Sequence, residues 1–471
     1  MIDLYNNLLY FLSFAIAATC VYWIVPRRFR SLGLLCTNIL FYTVCAGWYI
    51  IFVLVAGLWS FHCAKKINED RQGIQRKKWL LSGIIALLLL LCFFKYWTPS
   101  QSLIGQLLDG CVDFNIIQIV LPLGMSYYIL KSISYLVDVY KKKIDCEGDV
   151  INYLAYVSFY GQIVSGPIQR YEQWKSEIMK EMPTKNWKDG FYHVLLGLFM
   201  KLVIANRLCD FITATIQAVD SASGLQLWLC FFLYSIYIYC DFAGYSYIAI
   251  GVTHFHGLDC IANFNRPYFS KNIREFWNRW HISLSSWLRD YVYIPLGGNR
   301  KGKFRRVLNV MITFVTCGIW HGSTLSFAVW GGYHGVVNAL TPKRKNDESN
   351  HFKNAIRIIW TLMIVSAGWV FFASPTLGTA LAFFKGMFTR LSFDMSTIQE
   401  SILPFTGNNN CLAYFITVLV FIFILFLKEA DDEYGFLSRT KVASFLWQVF
   451  LLSSILLFGV FGASSFIYAG F

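Results

Sequence analysis

The sequence predicts an all-α integral membrane protein, a multi-pass helical bundle in which several helices are short, broken or re-entrant. Three observations carry that prediction. Hydrophobic residues make up 56% of the 471 residues and charged residues only 14%, where a soluble domain carries about 25% charged residues. Mean hydropathy is +0.49. Apolar runs recur from end to end, with no repeat, low-complexity tract or long linker. One membrane-embedded domain spanning residues 1–471 is therefore expected, in place of the roughly three domains that a soluble chain of this length suggests.

Residues 8–25 form the first apolar run, closed by Pro26 and the basic Arg27, Arg28 and Arg30. It lacks a basic leader and a small-residue cleavage site, so it reads as a retained span. Residues 32–63 are apolar with an interruption near Gly47. Two full spans need about 20 residues each, so this stretch predicts a shallow hairpin between two basic loops. Residues 79–94 then cross outward, and residues 120–140 return to Lys141, Lys142 and Lys143. Further apolar stretches at 151–166, 190–216, 225–253, 307–340, 355–373, 411–427 and 442–462 bring the expected total to eleven to thirteen membrane segments. Residues 376–390 read as an amphipathic helix at the interface.

The formal charge of +14 is spread over short loops between apolar runs. That is the positive-inside pattern, and it points to membrane lipid as a partner and away from nucleic acid. The basic loop from Lys301 to Arg306 is expected to face the cytoplasm. The thirteen cysteines lie mostly inside apolar stretches without a CxxC pair. They read as small buried hydrophobes.

Ionisable groups at membrane depth are costly and point to function by default. His321 sits near the middle of residues 308–340, which carry no Lys, Arg, Asp or Glu. As one straight helix that stretch would be about 50 Å long, against a hydrocarbon core of about 30 Å. It must break, and Gly318 and Gly322 bracket His321. A broken helix at depth is tolerated where it lines a cavity. A catalytic His321 and a His321 bonded to a neighbouring carbonyl both remain open.

His281 lies in Phe276-Trp277-Asn278-Arg279-Trp280-His281, where aromatic and charged residues alternate as in an interfacial belt. The density of charge argues for a wet pocket instead: Arg274, Glu275, Arg279, Arg289 and Asp290 flank it closely. Asp241 is a lone carboxylate in an apolar run, either a proton relay or, more in keeping with its surroundings, the partner of an arginine such as Arg266 or Arg289. His254 and His256 lack a second ligand pair for a metal. Nothing fixes His321 and His334 as axial haem ligands. No metal site is expected.

Taken together, these stretches resemble the membrane-bound O-acyltransferase (MBOAT) superfamily, and within it the bacterial alginate O-acetylation branch. The densest likeness runs from Asn263-Phe264-Asn265-Arg266-Pro267-Tyr268 through Glu275 to Ser285. It continues in Trp287-Leu288-Arg289-Asp290-Tyr291 and Ile294 to Arg300, and again in Trp320-His321-Gly322 with Trp330-Gly331. Weaker matches include Leu121 to Gly124, Gly161-Gln162, Gly166-Pro167, Gly368 to Phe372 and the final Phe466-Ile467-Tyr468. Tyr247 departs from the pattern, since relatives often carry a small polar or acidic residue there.

The resemblance implies an MBOAT-type bundle around a central tunnel and an acetyltransferase in a bacterial cytoplasmic membrane. It implies His321 as the catalytic residue and His281 in the same site. Trp277, Arg289, Asp290, Trp320 and Asp241 are expected to contact substrate. No cofactor is expected to be bound, and acetyl-CoA is the implied donor. The implied acceptor is an extracytoplasmic polysaccharide or peptidoglycan, reached through an extracytoplasmic partner protein. A neutral imidazole in a dry funnel suits general-base work worth about 10²–10⁴-fold.

Other readings are D-alanyl transfer to teichoic acids, a transporter or flippase, and a haem or quinone redox protein. The Leu-Gly-Gly-Asn-Arg run at 296–300 favours acetyl over D-alanyl transfer. A transporter would carry two corresponding broken segments in related halves, and the sequence shows no such repeat.

Overall fold

The computed structural model describes residues 8–70, 73, 75–107, 119–178, 187–342, 350–405, 411–436 and 440–461. Every regular element among them is helical. Phe466-Ile467-Tyr468 lies outside the described residues. The chain folds into two compact units, one of residues 8–191 with 249–261, the other of residues 192–248 with 262–461.

The first unit holds α1 (Leu8–Ile24), α2 (Arg30–Ala46), α3 (Ile50–Glu69), α4 (Arg76–Leu107), α5 (Met125–Tyr140), α6 (Val150–Val157) and α7 (Tyr171–Ile178). Helix α3 packs against α4, α5 and α6. Gly57 and Gly83 let Leu154 and Leu136 approach to distances that a larger side chain would forbid, as small residues do between membrane helices. Asn38 fastens α2 to the end of α6. Its amide nitrogen donates to Ala155 O and Ser158 Oγ, and its oxygen accepts from Tyr160 N. Buried Lys131 donates to Tyr156 O at 3.0 Å and Gln162 Oε1 at 3.2 Å.

The second unit contains most of α8 (Trp187–Leu198), α9 (Asn206–Gln217) and α10 (Gly224–Phe255), the short α11 (Ile273–Arg279) and α12 (Ile282–Leu288), and α13 (Gly302–His321). It continues with α14 (Leu325–Leu340), α15 (His351–Ala373), α16 (Leu377–Thr389), α17 (Met395–Ile402), α18 (Cys411–Tyr434) and α19 (Lys441–Phe458). Between α8 and α9 the backbone widens into a π-helix at Phe199–Ala205. Lys201 on that turn reaches Asp241 of α10 at 2.5 Å, with both side chains almost fully buried. Helices α13 and α14 fold back on each other. A Cβ on Gly318 would stand 2.2 Å from Phe327 O, and one on Gly331 would stand 2.3 Å from Phe314 O.

Six helical stretches among the described residues are long and apolar enough to cross a membrane, and α1 is a shorter apolar helix. The eleven to thirteen expected segments include short and broken ones, which lie outside this count, and residues 27–69, counted once, hold both α2 and α3. Residues 151–166 contain only the eight-residue α6. Helix α13 opens with Lys303, Arg305 and Arg306, and the 307–340 stretch is divided between two helices. The expected break in residues 32–63 falls at Gly47, whose φ is +60°. The arms are longer than a shallow hairpin would have, because α3 runs on through Lys65 to Glu69; its 20 residues reach about 30 Å. Residues 376–390 do form a helix, with Thr376 as its N-cap.

Exposed apolar side chains run along the outer helices, including Ile85 and Leu89 on α4 and Phe445, Leu456 and Leu457 on α19. In water such a surface would aggregate; in lipid it is the solvated face.

The glycine contacts generate a stability test. Gly331→Ala is expected to lower the melting temperature of the purified protein by several degrees, since overpacking costs about 1–3 kcal/mol. Gly332→Ala, where nothing lies within 4 Å, should leave it unchanged. Equal melting temperatures for the two variants would show that the hairpin tolerates a wider spacing.

Candidate active site

The break predicted in residues 308–340 falls immediately after His321. Helix α13 ends on that residue, and Gly322 continues in extended conformation with φ −167° and ψ 167°. A Cβ at Gly322 would meet the Phe327 ring at 2.2 Å, so the turn is too close for a side chain. The His321 ring is 3% exposed. It lies 4.9 Å from the Trp320 ring, 5.2 Å from Trp330 and 5.4 Å from Phe372. All three meet it edge-to-face, an arrangement that fixes its plane.

His281 occupies the junction between α11 and α12. Asn272 starts α11 by accepting from Glu275 N, and α11 ends at Arg279, so that His281 becomes the N-cap of α12 with φ +42° and ψ +54°. Left-handed backbone is rare for a residue with a Cβ and is held only where its surroundings over-determine it. Asn263 supplies that constraint. Its carbonyl accepts from Ile282 N, its side-chain oxygen accepts from Ser283 N, and its amide donates to Ser246 Oγ. The His281 ring packs on Phe242 at 4.7 Å. Neither ring nitrogen has a hydrogen-bond partner among the described residues. Burial pushes the imidazole pKa down to about 3, so it is neutral at physiological pH. Trp320 joins the two histidines, its ring 6.3 Å from His281 and 4.9 Å from His321.

Beside them opens a cavity of about 650 Å³. Its inner wall includes Trp277, Phe314 and Cys317, and Cys317 lies one helical turn before His321. Arg274, Arg289 and Arg306 line it too, and no carboxylate is among its described lining residues. Burial, and then the like charge of Arg306, lower the pKa of Arg274 from its ordinary value. Arg289 differs, because Asp290 stands 2.8 Å from it as a counter-ion. Trp277 also touches Trp330 at 5.8 Å and His334 at 5.1 Å, tying the cavity wall to the aromatic shell around His321.

This combination of two buried histidines beside an arginine-lined cavity occupies the part of the chain that matches a known family. The membrane-bound O-acyltransferase profile matches residues 147–341. A probable alginate O-acetylase of Pseudomonas putida is 32% identical over 392 residues, covering 81% of this chain and 80% of that protein. The chain belongs to the membrane-bound O-acyltransferase family. A peptidoglycan O-acetyltransferase of Helicobacter pylori is 30% identical, covering 82% of this chain and 79% of that protein. A teichoic acid D-alanyltransferase of Bacillus subtilis is 29% identical over 53% of this chain and 68% of that protein. The protein is thus a membrane O-acyltransferase.

Within this O-acyltransferase the residues singled out from sequence separate into two groups. His281, Trp320 and His321 come together, and Trp277 and Arg289 line the adjoining cavity. Asp290 is paired with Arg289 at 2.8 Å and is not among the lining residues. Asp241 is bound to Lys201, in place of the arginine expected for it. Arg266 instead reaches Glu433 at 3.2 Å, and Glu433 also receives Arg279. His254 lies 3.5 Å from Asp259, and His256 bonds to Val252 O.

Sequence reasoning passed over Lys201 and Asn263 as site supports. Lys201 is a charge within the apolar stretch 190–216, and the cost of such a charge is the signal that would have found it. Asn263 stands inside the dense motif but has no distinctive chemistry of its own. It matters only because the fold brings it to His281.

Replacing His281 with Gln keeps a donor and an acceptor but removes the exchangeable proton. Turnover is expected to fall at least about tenfold, or about 1.4 kcal/mol of barrier, in membranes with matched protein levels. Near wild-type turnover would move His281 from the site to the scaffold.

Proposed function

We propose that this O-acyltransferase takes an acetyl group from cytoplasmic acetyl-CoA and passes it across a bacterial cytoplasmic membrane. The final acceptor is an extracytoplasmic polysaccharide or peptidoglycan, reached through an extracytoplasmic partner protein. The observation that carries this reading is the cavity lined by three arginines, with no carboxylate among its described lining residues and an inner wall one helical turn from His321. A donor with phosphates at one end and a short acyl thioester at the other matches that polarity. Guanidinium groups suit the phosphates, because their fork of donors pairs with two oxygens at once. Trp277, Phe314 and Cys317 suit the apolar arm. The printed functions of the relatives, O-acetylation of alginate and of peptidoglycan, support the acetyl group and the glycan acceptor.

In the proposed reaction the neutral His321 imidazole accepts the proton of the acceptor hydroxyl. The hydroxyl oxygen bonds to the acyl carbon, the carbon–sulfur bond breaks, and the departing thiolate takes up the proton. Trp330 and Phe372 keep the ring in place, and the aromatic shell excludes water that would otherwise hydrolyse the thioester. His281 stands on the other side of Trp320 with two open nitrogens, available to the acyl carbonyl or the incoming hydroxyl.

His321→Ala is expected to abolish acetyl transfer while protein level and membrane insertion stay normal. Normal acetyl content in the glycan of cells carrying only this variant would overturn the role given to His321. Arg306→Gln is expected to raise the KM for acetyl-CoA about tenfold with kcat little changed, and to flatten its dependence on salt. An unchanged KM would remove the cavity from donor binding.

A further inference from the structure

A second cavity in the same unit has the opposite character. It encloses about 400 Å³ at the C-terminal end of α18, between residues of α8, α10, α18 and α19 and the segment around Arg266. Four aromatic side chains line it: Tyr192, Tyr247, Phe264 and Trp447. His193 stacks on the Tyr247 ring at 5.8 Å. The charged residues on its wall are Arg266, Lys428, Glu429 and Asp432.

The pairing of those charges leaves one over. Lys428 is held by Asp432 at 2.5 Å and by Asp431 at 3.7 Å. Arg266 is held by Glu433, which Arg279 grips as well. Glu429 makes no ion pair among the described residues. One of its oxygens accepts from Tyr239 Oη at 2.5 Å. The other, Oε2, has no hydrogen-bond partner, although the side chain is only 9% exposed. A buried carboxylate oxygen without a donor is expensive.

The position adds to that expense. Glu429, Asp431, Asp432 and Glu433 all stand in the last two turns of α18, at the negative end of the helix dipole, where cations are the favoured occupants. Resident cations answer Asp431, Asp432 and Glu433. Glu429 makes no such ion pair, and the charge of Arg266 on the same wall acts on it only at longer range.

We propose that this cavity binds an organic monocation, an ammonium head seated on Glu429 and walled by the rings of Tyr192, Tyr247, Phe264 and Trp447. A carboxylate supplies the charge partner, and aromatic faces within about 6 Å attract a cation through their quadrupoles. The same chemistry is offered by a free amine and by the ethanolamine head of a lipid. The site is separate from the arginine-lined cavity, shares no lining residue with it, and does not depend on the acetyl donor proposed above.

The experiment is thermal unfolding of the purified full chain in a nonionic detergent, with no acetyl-CoA present. Ethanolamine, tetramethylammonium and dihexanoyl phosphatidylethanolamine are added in turn, with sodium chloride at matched ionic strength and dihexanoyl phosphatidylglycerol as controls. A rise of about 2–5 °C with an ammonium compound and none with either control is the expected result. A response to all three ammonium compounds identifies the site as open to free amines. A response to the phospholipid alone identifies the lipid head as the source.

Glu429→Gln keeps the acceptor for Tyr239 and removes the charge, so the rise should vanish. Trp447→Leu removes one ring at a half-buried position and should weaken the response several-fold, which keeps the test decisive if the glutamine variant is poorly folded. No rise with any ammonium compound, an equal rise with sodium chloride, or an undiminished rise in both variants would overturn the proposal.

Discussion

The reversal of the chain after His321 is the constraint on which the rest of the site depends. Helices α13 and α14 come closer than side chains would allow, because Gly318, Gly331 and Gly335 present only backbone to Phe327, Phe314 and Met311. Between membrane helices there is no water to expel, so close van der Waals contact is what holds them. That contact ends α13 on His321 and sets Trp330 and His334 on the facing helix. It also turns Cys317 and Phe314 toward the cavity. The imidazole owes its position to the absence of side chains elsewhere.

A second constraint is that charge in a membrane protein must be answered by charge. Lys201 and Asp241 satisfy each other within the unit's interior, and a buried pair of this kind is destabilising once either partner is lost. Arg266 and Arg279 converge on Glu433, which fastens the end of α18 to the segment that carries His281. The two cavities mark where the balance is left open. One gathers three arginines, of which Arg289 is paired with Asp290, and the other holds Glu429, which makes no ion pair among the described residues.

The site also divides labour between rigid and strained elements. His321 is fixed by ring packing at the end of a regular helix. His281 is held in left-handed backbone by Asn263, a conformation that the local sequence would not choose alone. Both rings are buried, and the His281 nitrogens have no hydrogen-bond partner among the described residues. That suits acyl transfer, in which the base must start neutral and gain its charge only as the reaction proceeds.

Much of this protein was legible in its residues. Composition and apolar runs determined that it is helical and membrane-embedded, because a backbone in lipid must satisfy its own hydrogen bonds. The length of residues 308–340 required a break near His321, and the motifs around Trp277, His281 and Trp320 marked the candidate site. What tertiary structure decided was partnership. Lys201 took Asp241, where an arginine was expected, because the π-helix at Phe199–Ala205 aims that lysine across to α10. Arg289 and Asp290, adjacent in sequence, differ in that only the arginine lines the cavity. Glu429, just beyond the apolar stretch 411–427, is buried against Tyr239. Length and hydropathy are sums over a segment, so sequence determines them directly. Which charge meets which depends on distances across the bundle, and those exist only once the helices have packed.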